Sequence, residues 1–475
     1  MSEVVGVWFR RDFRLNDQTA LFQCLERSKK SGGKWVALFH LDPKFSEEIC
    51  PHHDYFFQTV YEFKEKCAEA GIRLHIIYGT VDEFIKKTLE AIPELTAIYF
   101  NQDEVGSGKI RDDVVRKRLA ERGISATSFL DTHLTSATQV VKADGQPYKV
   151  FTPYFRTWSK IAKPAPLQIS LNELQEYYYP MDSSIDPNGE RYFSNIIMKS
   201  KRSWGALGES EAADRLERFT AIFHTYHIKR DIPSEYGTSQ LSPFLKTGVI
   251  SIRTIYQKIV ECQMDIGEGA HTYIKELAWR EFYNMLYYYY PQSKQQALRE
   301  EYGNLAWETD QERLDKWKEG MTGFPIIDAG MRQLRQEGWM HNRLRMITAS
   351  FLTKDYLLDW RLGERYFEKM LIDYEEATNI GGWQWAASVG ADAVPYFRVF
   401  NPIRQSERFD PLGEYIKRYV PELKDLPAQY IHEPWKLPPE LAVKYNFEID
   451  SDYPAPTIDH QLQRQKAIAL FKGGE

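Results

Sequence analysis

The chain has 475 residues, 43% of them hydrophobic and 27% charged, with a formal net charge of −6. That length suits two or three domains with a large core, and no apolar run approaches the roughly 18 residues that span a bilayer as a helix, so no membrane-spanning helix is expected. The mildly acidic total argues against a surface coated in nucleic-acid-binding charge, although it permits a local basic face.

The start, Met1-Ser2-Glu3-Val4-Val5, lacks the basic-then-apolar layout of a signal peptide, and a cytoplasmic location is expected. Over the first 130 residues short β-branched runs alternate with amphipathic stretches. Val4–Phe9, Trp35–Phe39, Leu74–Tyr78, Leu95–Phe100 and Thr127–Leu130 read as strands, with helices over 54–70 and 109–122. This rhythm predicts a doubly wound parallel α/β sheet over 1–130. No Gly-x-Gly-x-x-Gly follows the first strand, so a dinucleotide site there is not supported. The strand runs instead into Arg10-Arg11-Asp12-Phe13-Arg14-Leu15-Asn16-Asp17, either a ligand-binding loop or a solvated loop with internal ion pairs.

From 131 to 203 the periodicity weakens. Asp144-Gly145 marks a hairpin turn, and Pro153, Pro164, Pro166, Pro180 and Pro187 interrupt any long helix, so this stretch reads as an interdomain connector. From 204 to 475 the pattern is helical and predicts an all-α domain. The four cysteines (Cys24, Cys50, Cys67, Cys262) contain no Cys-x-x-Cys pair, which indicates neither a disulfide framework nor a metal site. The aromatic content is high, with 12 Trp, 29 Tyr and 26 Phe, a load that suits large flat surfaces in need of packing or stacking partners.

Four helical-domain segments carry chemistry. In Gly237-Thr238-Ser239-Gln240-Leu241-Ser242-Pro243, Ser242 is the expected N-cap, and the hydroxyls with free backbone N–H groups form either a pyrophosphate cradle or a plain capped helix. Tyr226, Lys229 and Arg230 lie just upstream. Glu276, Trp279 and Arg280 share a helical face that can recognise a base-like ring, or can be a surface pair beside a core indole. Asn342, Arg345 and Met346 share another face, with Asp373 a candidate partner for Arg345. In Thr378-Asn379-Ile380-Gly381-Gly382-Trp383-Gln384-Trp385, two indoles two positions apart on a helix serve different neighbours, and the glycines admit something flat. Both indoles also suit a core.

These segments resemble the photolyase and cryptochrome family, most closely the class I cyclobutane pyrimidine dimer photolyases. The resemblance extends through Trp8–Leu15, Tyr148–Tyr154, Gly237–Ser239, Trp279–Tyr283, Gly323–Arg332, Trp339–Leu352, Gly381–Ser388 and Tyr396–Pro402, in order over almost the whole chain. It implies a blue-light-dependent repair enzyme with U-shaped FAD, active as FADH−, in the helical domain, receiving a flipped-out dimer from UV-damaged DNA. Tyr226, Thr238, Ser239, Gln240, Leu241 and Ser242 would hold the phosphates and ribityl chain. Arg280, Asn342, Arg345, Asp373 and Glu375 would surround the rings, with Asn379 facing flavin N5. Trp279 and Trp385 would hold the dimer, beside Glu276, Asn342 and Met346, with a buried Glu276 donating to a pyrimidine carbonyl. Arg230, Arg343 and Arg398 would contact DNA phosphates. Trp383, Trp360 and Trp307 match the family's electron-carrying tryptophan chain. A cryptochrome photosensor and a (6-4) photolyase are the alternatives. Asn379 and Met346 weigh toward dimer repair, and a monomer is expected.

Two departures stand out. The family often has Asp-Gly-Asp where this chain has Asp373-Tyr374-Glu375. Glu104-Val105-Gly106-Ser107 lacks the Asn-Glu pair of folate-binding relatives, which leaves open an antenna chromophore of folate, deazaflavin or flavin type in the α/β domain.

Overall fold

A computed structural model describes residues 3–46, 50–200, 202–205 and 207–473. Strands β1 (Val4–Phe9), β2 (Lys34–Leu41), β3 (Leu74–Tyr78), β4 (Leu95–Asn101) and β5 (Ser125–Phe129) form one sheet of order β3-β2-β1-β4-β5, every pair parallel. The strand expected at Thr127–Leu130 thus begins two residues earlier. Helices α1 (Thr19–Ser31), α2 (Pro51–Glu69), α3 (Val81–Ala91) and α4 (Gly106–Ala120) are the crossovers that parallel pairing requires. A central parallel strand is covered on both faces, and β1 accordingly reads VVGVWF with every residue buried. At the edge, β5 reads SATSF and buries none of its residues fully.

The expected connector contains helices α5 (Phe151–Trp158), α6 (Leu171–Glu176) and α7 (Pro187–Lys199). Its prolines do not prevent them, because Pro153 and Pro187 fall in the first turn of α5 and α7, where the missing N–H has no intrahelical acceptor to lose. Asp144-Gly145 does form a turn, with Gly145 at φ 78° and the Lys142 N–H donating to the Gln146 carbonyl at 2.9 Å. Helices α8 (Ile252–Ile266), α9 (Glu268–Tyr289), α10 (Asn342–Ser350), α11 (Trp360–Met370) and α12 (Glu376–Ala386) follow.

Contacts group the chain into two compact units, residues 1–148, 152–224 and 239–289, and residues 149–151, 225–238 and 290–475. The sequence boundaries at 130 and 203 mark changes of periodicity, whereas these groups follow packing. In the second unit the core gathers Trp317, Tyr356, Trp360, Trp383 and Tyr415. Among the described residues no helix is long and apolar enough to cross a membrane.

Of the two readings left open for the charged loop after β1, the internal ion pairs are present, but they are buried and not solvated. Arg14 Nη2 and Arg253 Nη2 meet the Asp131 carboxylate at 2.6 and 2.8 Å, and Arg253 Nε meets Asp17 at 2.8 Å. The close approach needs Gly248, at φ +65°, since a Cβ there would lie 2.2 Å from the Arg11 carbonyl oxygen. Burial alone would raise the Asp131 pKa. The Arg14 and Arg253 guanidiniums outweigh it and hold the carboxyl below the ordinary carboxylate range. The stability this confers is present above the unfolded-state value of about 3.9 and is lost as pH falls through the lower folded value. Asp131→Ala leaves buried Arg14 without a carboxylate and Arg253 with Asp17 alone, and is expected to lower unfolding free energy by about 3–5 kcal/mol, read from urea denaturation at neutral pH.

Candidate functional site

In the first unit, helix α9 packs Ala270, Tyr273, Ile274, Leu277, Ala278 and Phe282 into the interior. The residues between them, Glu276, Trp279, Arg280 and Tyr283, form a half-buried stripe at helical spacing. Glu276 is therefore half-buried, not buried as expected, because its stripe lies beside the face that packs into the core. The Trp279 ring meets Phe282 edge-on at 5.4 Å and Tyr283 at 5.5 Å, and Arg280 Nη1 donates to the Thr132 carbonyl at 2.6 Å. Next along the helix, buried Glu281 accepts from the Leu134 N–H, the Thr135 hydroxyl and Trp158 Nε1 at 2.5, 2.5 and 2.6 Å, which clamps the stripe in place.

Ser239 joins this helix through a 2.8 Å hydrogen bond between its hydroxyl and that of Tyr273, whose pKa burial pushes up to about 12. Its oxygen also accepts from the Leu241 N–H at 3.3 Å. Gln240 takes φ 50°, and Arg215 Nη1 holds its carbonyl at 3.2 Å. The helix here runs Ser242–Thr247, so Leu241 is the cap and exposed Ser242 the first helical residue, one place earlier than expected. Pro243 fits the first turn in either register.

In the second unit, His341 caps α10 by accepting the Arg343 N–H at 3.1 Å. Exposed Asn342 and half-buried Met346 share a face, with Nδ2 and Sδ 4.0 Å apart. Arg345 Nη2 pairs with Asp373 Oδ2 at 2.7 Å as expected, while the other Asp373 oxygen is buried without a partner. Arg343 Nη2 is engaged by Asp231 at 2.8 Å and its guanidinium lies 4.3 Å from the Phe409 ring centre. Arg230 stacks over buried Tyr226 at 5.5 Å, and Arg398 is exposed. Thr238 and Glu375 are half-buried.

Helix α12 carries Asn379, Trp383 and Trp385, and Asn379 and Trp383 are one turn apart. The Asn379 amide donates to the Glu364 carbonyl at 3.2 Å and to Glu364 Oε1 at 3.1 Å, which engages its nitrogen and leaves the amide oxygen as the acceptor. Burial, then Glu368, raises the Glu364 pKa. Trp383 is buried against Trp317 at 6.0 Å and Phe367 at 5.0 Å, whereas Trp385 is half-buried, so the two indoles have different surroundings. Between them, Gln384 Nε2 donates to the carbonyls of Ser293 and Gln296 at 2.7 and 2.9 Å. Trp360 is buried in the same core and half-buried Trp307 packs against it, 6.1 Å from Phe471. Glu364 was absent from the sequence reading, because nothing local marks a carboxylate whose partner lies 15 residues on.

These features fit a flat polar ligand: an unpartnered acceptor on Asp373, an oriented amide at Asn379, and open space beside Gly382, where a Cβ would meet nothing within 4 Å. The α/β unit differs. Ligands of doubly wound sheets enter where the strand order reverses, here between the carboxyl ends of β1 and β4. That crevice is filled: Arg10 pairs with Asp112, Arg111 with Asp103 at 2.7 Å, and Arg10 and Arg111 lie 4.9 and 5.3 Å from the Trp8 ring centre. Arg11 adds a 2.6 Å contact to Asp103.

Residues 5–171 match the DNA photolyase model, and residues 273–473 match the FAD binding domain of DNA photolyase. The chain belongs to the DNA photolyase family. A deoxyribodipyrimidine photo-lyase of Alkalihalophilus pseudofirmus is 53% identical over 471 residues, 99% of this chain and 98% of that one. Among solved structures, a class III photolyase from Agrobacterium tumefaciens superposes with a TM-score of 0.91 at 31% identity, covering 100% of this chain and 98% of that one. An archaeal photolyase from Sulfolobus tokodaii with two FAD molecules gives 0.82 at 31% identity, covering 99% and 100%. The family assignment makes FAD the cofactor of the helical region.

Trp383 owes its place to Gly363 on α11, where a Cβ would lie 2.0 Å from Trp383 Cη2. Gly363→Ala is expected to displace the indole and destabilise the protein by about 1–3 kcal/mol, visible as a lower thermal midpoint and an altered near-UV circular dichroism of tryptophan.

Proposed function

We propose that this chain repairs cyclobutane pyrimidine dimers in UV-damaged DNA under blue light, with FAD held by Tyr226, Thr238, Ser239, Gln240, Leu241, Ser242, Arg280, Asn342, Arg345, Asp373, Glu375 and Asn379. The observation that carries the reading is the pairing of Arg345 with a buried Asp373 that keeps one oxygen unpartnered, alongside an amide at Asn379 that Glu364 holds in one orientation. Bound by these residues, reduced and photo-excited FAD would supply the electron that opens the dimer ring and would take it back afterwards, with no net redox change.

Each residue then has a limited task. Asp373 offers an acceptor to a ring N–H while Arg345 pairs with its other oxygen. Asn379 presents a neutral oxygen that has no proton to give. Trp279 and Trp385 stack on the flipped-out bases, Met346 covers their apolar edge, and Glu276 and Asn342 hydrogen-bond the pyrimidine rings. A half-buried Glu276 serves this better than a buried one, since it can reach a ligand that enters from outside. Asn342 and Met346 at these positions favour dimers over (6-4) photoproducts. Arg230 and Arg398 reach phosphates, and Arg343 does so after exchanging Asp231 for a phosphate. Trp383, Trp360 and Trp307 carry electrons inward to photoreduce oxidised cofactor.

The first test is loss of a single thymine dimer from an oligonucleotide by chemically reduced protein, in blue light and in matched darkness. Light-dependent repair is expected, with Glu276→Gln retaining more of it than Glu276→Ala. Equal loss in both variants removes the proposed hydrogen bond. No repair with FAD bound and reduced moves the chain to the (6-4) or photosensor reading.

An antenna chromophore of folate, deazaflavin or flavin type entering at the switch point would have to displace or share the ion pairs of Arg10 and Arg111. Denaturing the purified protein and quantifying the released chromophores is expected to give one FAD per chain from the helical region, and any folate, deazaflavin or second flavin released with it identifies the antenna.

A further inference from the structure

Tyr374 is buried, and its hydroxyl donates to Glu364 Oε1 at 3.3 Å. The same oxygen accepts from Asn379 at 3.1 Å, and the preceding residue, Gly363, is the one packed against the Trp383 ring edge. Tyr374 and Glu364 are both buried, in the second unit, within or beside the core that holds Trp383. A phenol yields an electron readily only if its proton has somewhere to go at the same moment, since its radical cation is a very strong acid. A buried tyrosine is inert on this count unless a base touches its hydroxyl. Here a carboxylate does, one residue from the contact with an indole that the proposed relay oxidises.

We propose that Tyr374 is a second electron donor to Trp383, coupled to proton transfer to Glu364. The inference rests on the tryptophan-relay reading given above. In the step, the Tyr374 O–H bond breaks, the electron fills the hole on the oxidised Trp383 indole, and the proton bonds to Glu364 Oε1. The products are a neutral tyrosyl radical, neutral Trp383 and a protonated Glu364, and no outside reductant is needed. The direct effect is a branch: a hole on Trp383 moves outward to Trp360 or sideways to Tyr374. Burial, followed by Glu364, Glu368 and Glu376, raises the Tyr374 pKa, so the residue rests as the neutral phenol that the step requires.

Transient absorption of the FAD-loaded protein tests this in the Trp360→Phe background, where the outward path is cut. The expected result is decay of the indole radical cation into the narrow band of a neutral tyrosyl radical, slowed in D2O, with some photoreduction of FAD retained. Adding Tyr374→Phe, or separately Glu364→Gln, should abolish the tyrosyl band while the variants still bind one FAD per chain. Having two variants guards against one of them failing to fold. A Trp360→Phe protein without any tyrosyl band, or one whose band survives Tyr374→Phe, overturns the proposal. Trp383→Phe separates the two readings: it should abolish both signals, and photoreduction that persists in it sinks the relay itself and this branch with it.

Discussion

The contact of α11 with α12 at Gly363 and Glu364 is the constraint from which the second unit's site follows. Glycine at 363 is the only side chain small enough to admit the Trp383 ring edge, and the next residue turns a carboxylate toward Asn379. The two contacts are adjacent on α11 and one turn apart on α12, so they fix the rotation of one helix against the other. The close packing carries a cost. Trp383 Nε1 is buried with no hydrogen-bond partner, a group that typically costs about 1–3 kcal/mol, and the large ring contacts with Trp317 and Phe367 are what offset it. A fold tolerates such a donor where the position of the ring matters more than the last increment of stability.

The first unit solves a different problem with charge. Arg10, Asp12, Arg14, Asp17, Asp112, Asp131 and Arg253 are all buried, around the carboxyl ends of β1 and β4 and the loop between β1 and α1. Pairs of this kind gain little over apolar residues of the same shape, because desolvation cancels most of the attraction. Their value is geometric. Each guanidinium has a planar fork that tolerates one arrangement of carboxylates, so the loop from 10 to 17 has a single conformation and ties β1 to α4 through Asp112 and to α8 through Arg253. The same plug occupies the crevice that other doubly wound proteins give to a ligand.

The sheet was legible in the sequence almost residue by residue, because buried parallel strands are continuous apolar runs and each is bounded by polar turns. Helical faces were legible too: the pairing of Arg345 with Asp373 and the shared face of Asn342 and Met346 follow from spacing and charge. What the sequence hid is of two kinds. Pro153 and Pro187 read as breakers, yet they start helices, since the same residue has opposite meaning in a first turn and in a helix interior. Burial of polar groups was the second. Arg10 to Asp17 read as either a ligand-binding or a solvated loop and has most of its charges buried, while Glu276 read as a buried acid and is half-buried, because exposure depends on neighbours far along the chain. Glu364 and the role of Tyr374 were hidden for the same reason.

A pattern connects these cases. The residues assigned to face the dimer, Glu276, Trp279, Asn342, Met346 and Trp385, are half-buried or exposed, while the polar residues behind them, Glu281, Glu364 and Gln384, are buried and hydrogen-bonded. Each backing residue sits within two positions of a ligand-facing one or bonds to it directly: Glu281 follows Trp279 and Arg280, Gln384 lies between Trp383 and Trp385, and Glu364 holds Asn379. The conformational entropy of the facing side chains is thereby reduced during folding, before any ligand arrives, and binding energy is left for the ligand itself. Mutating a facing residue should therefore change what the site holds, whereas mutating a backing residue should change how well the whole layer is held. Buried carboxylates and amides suit the second role because an unmet hydrogen bond there is expensive, which makes the correct arrangement much the lowest in energy.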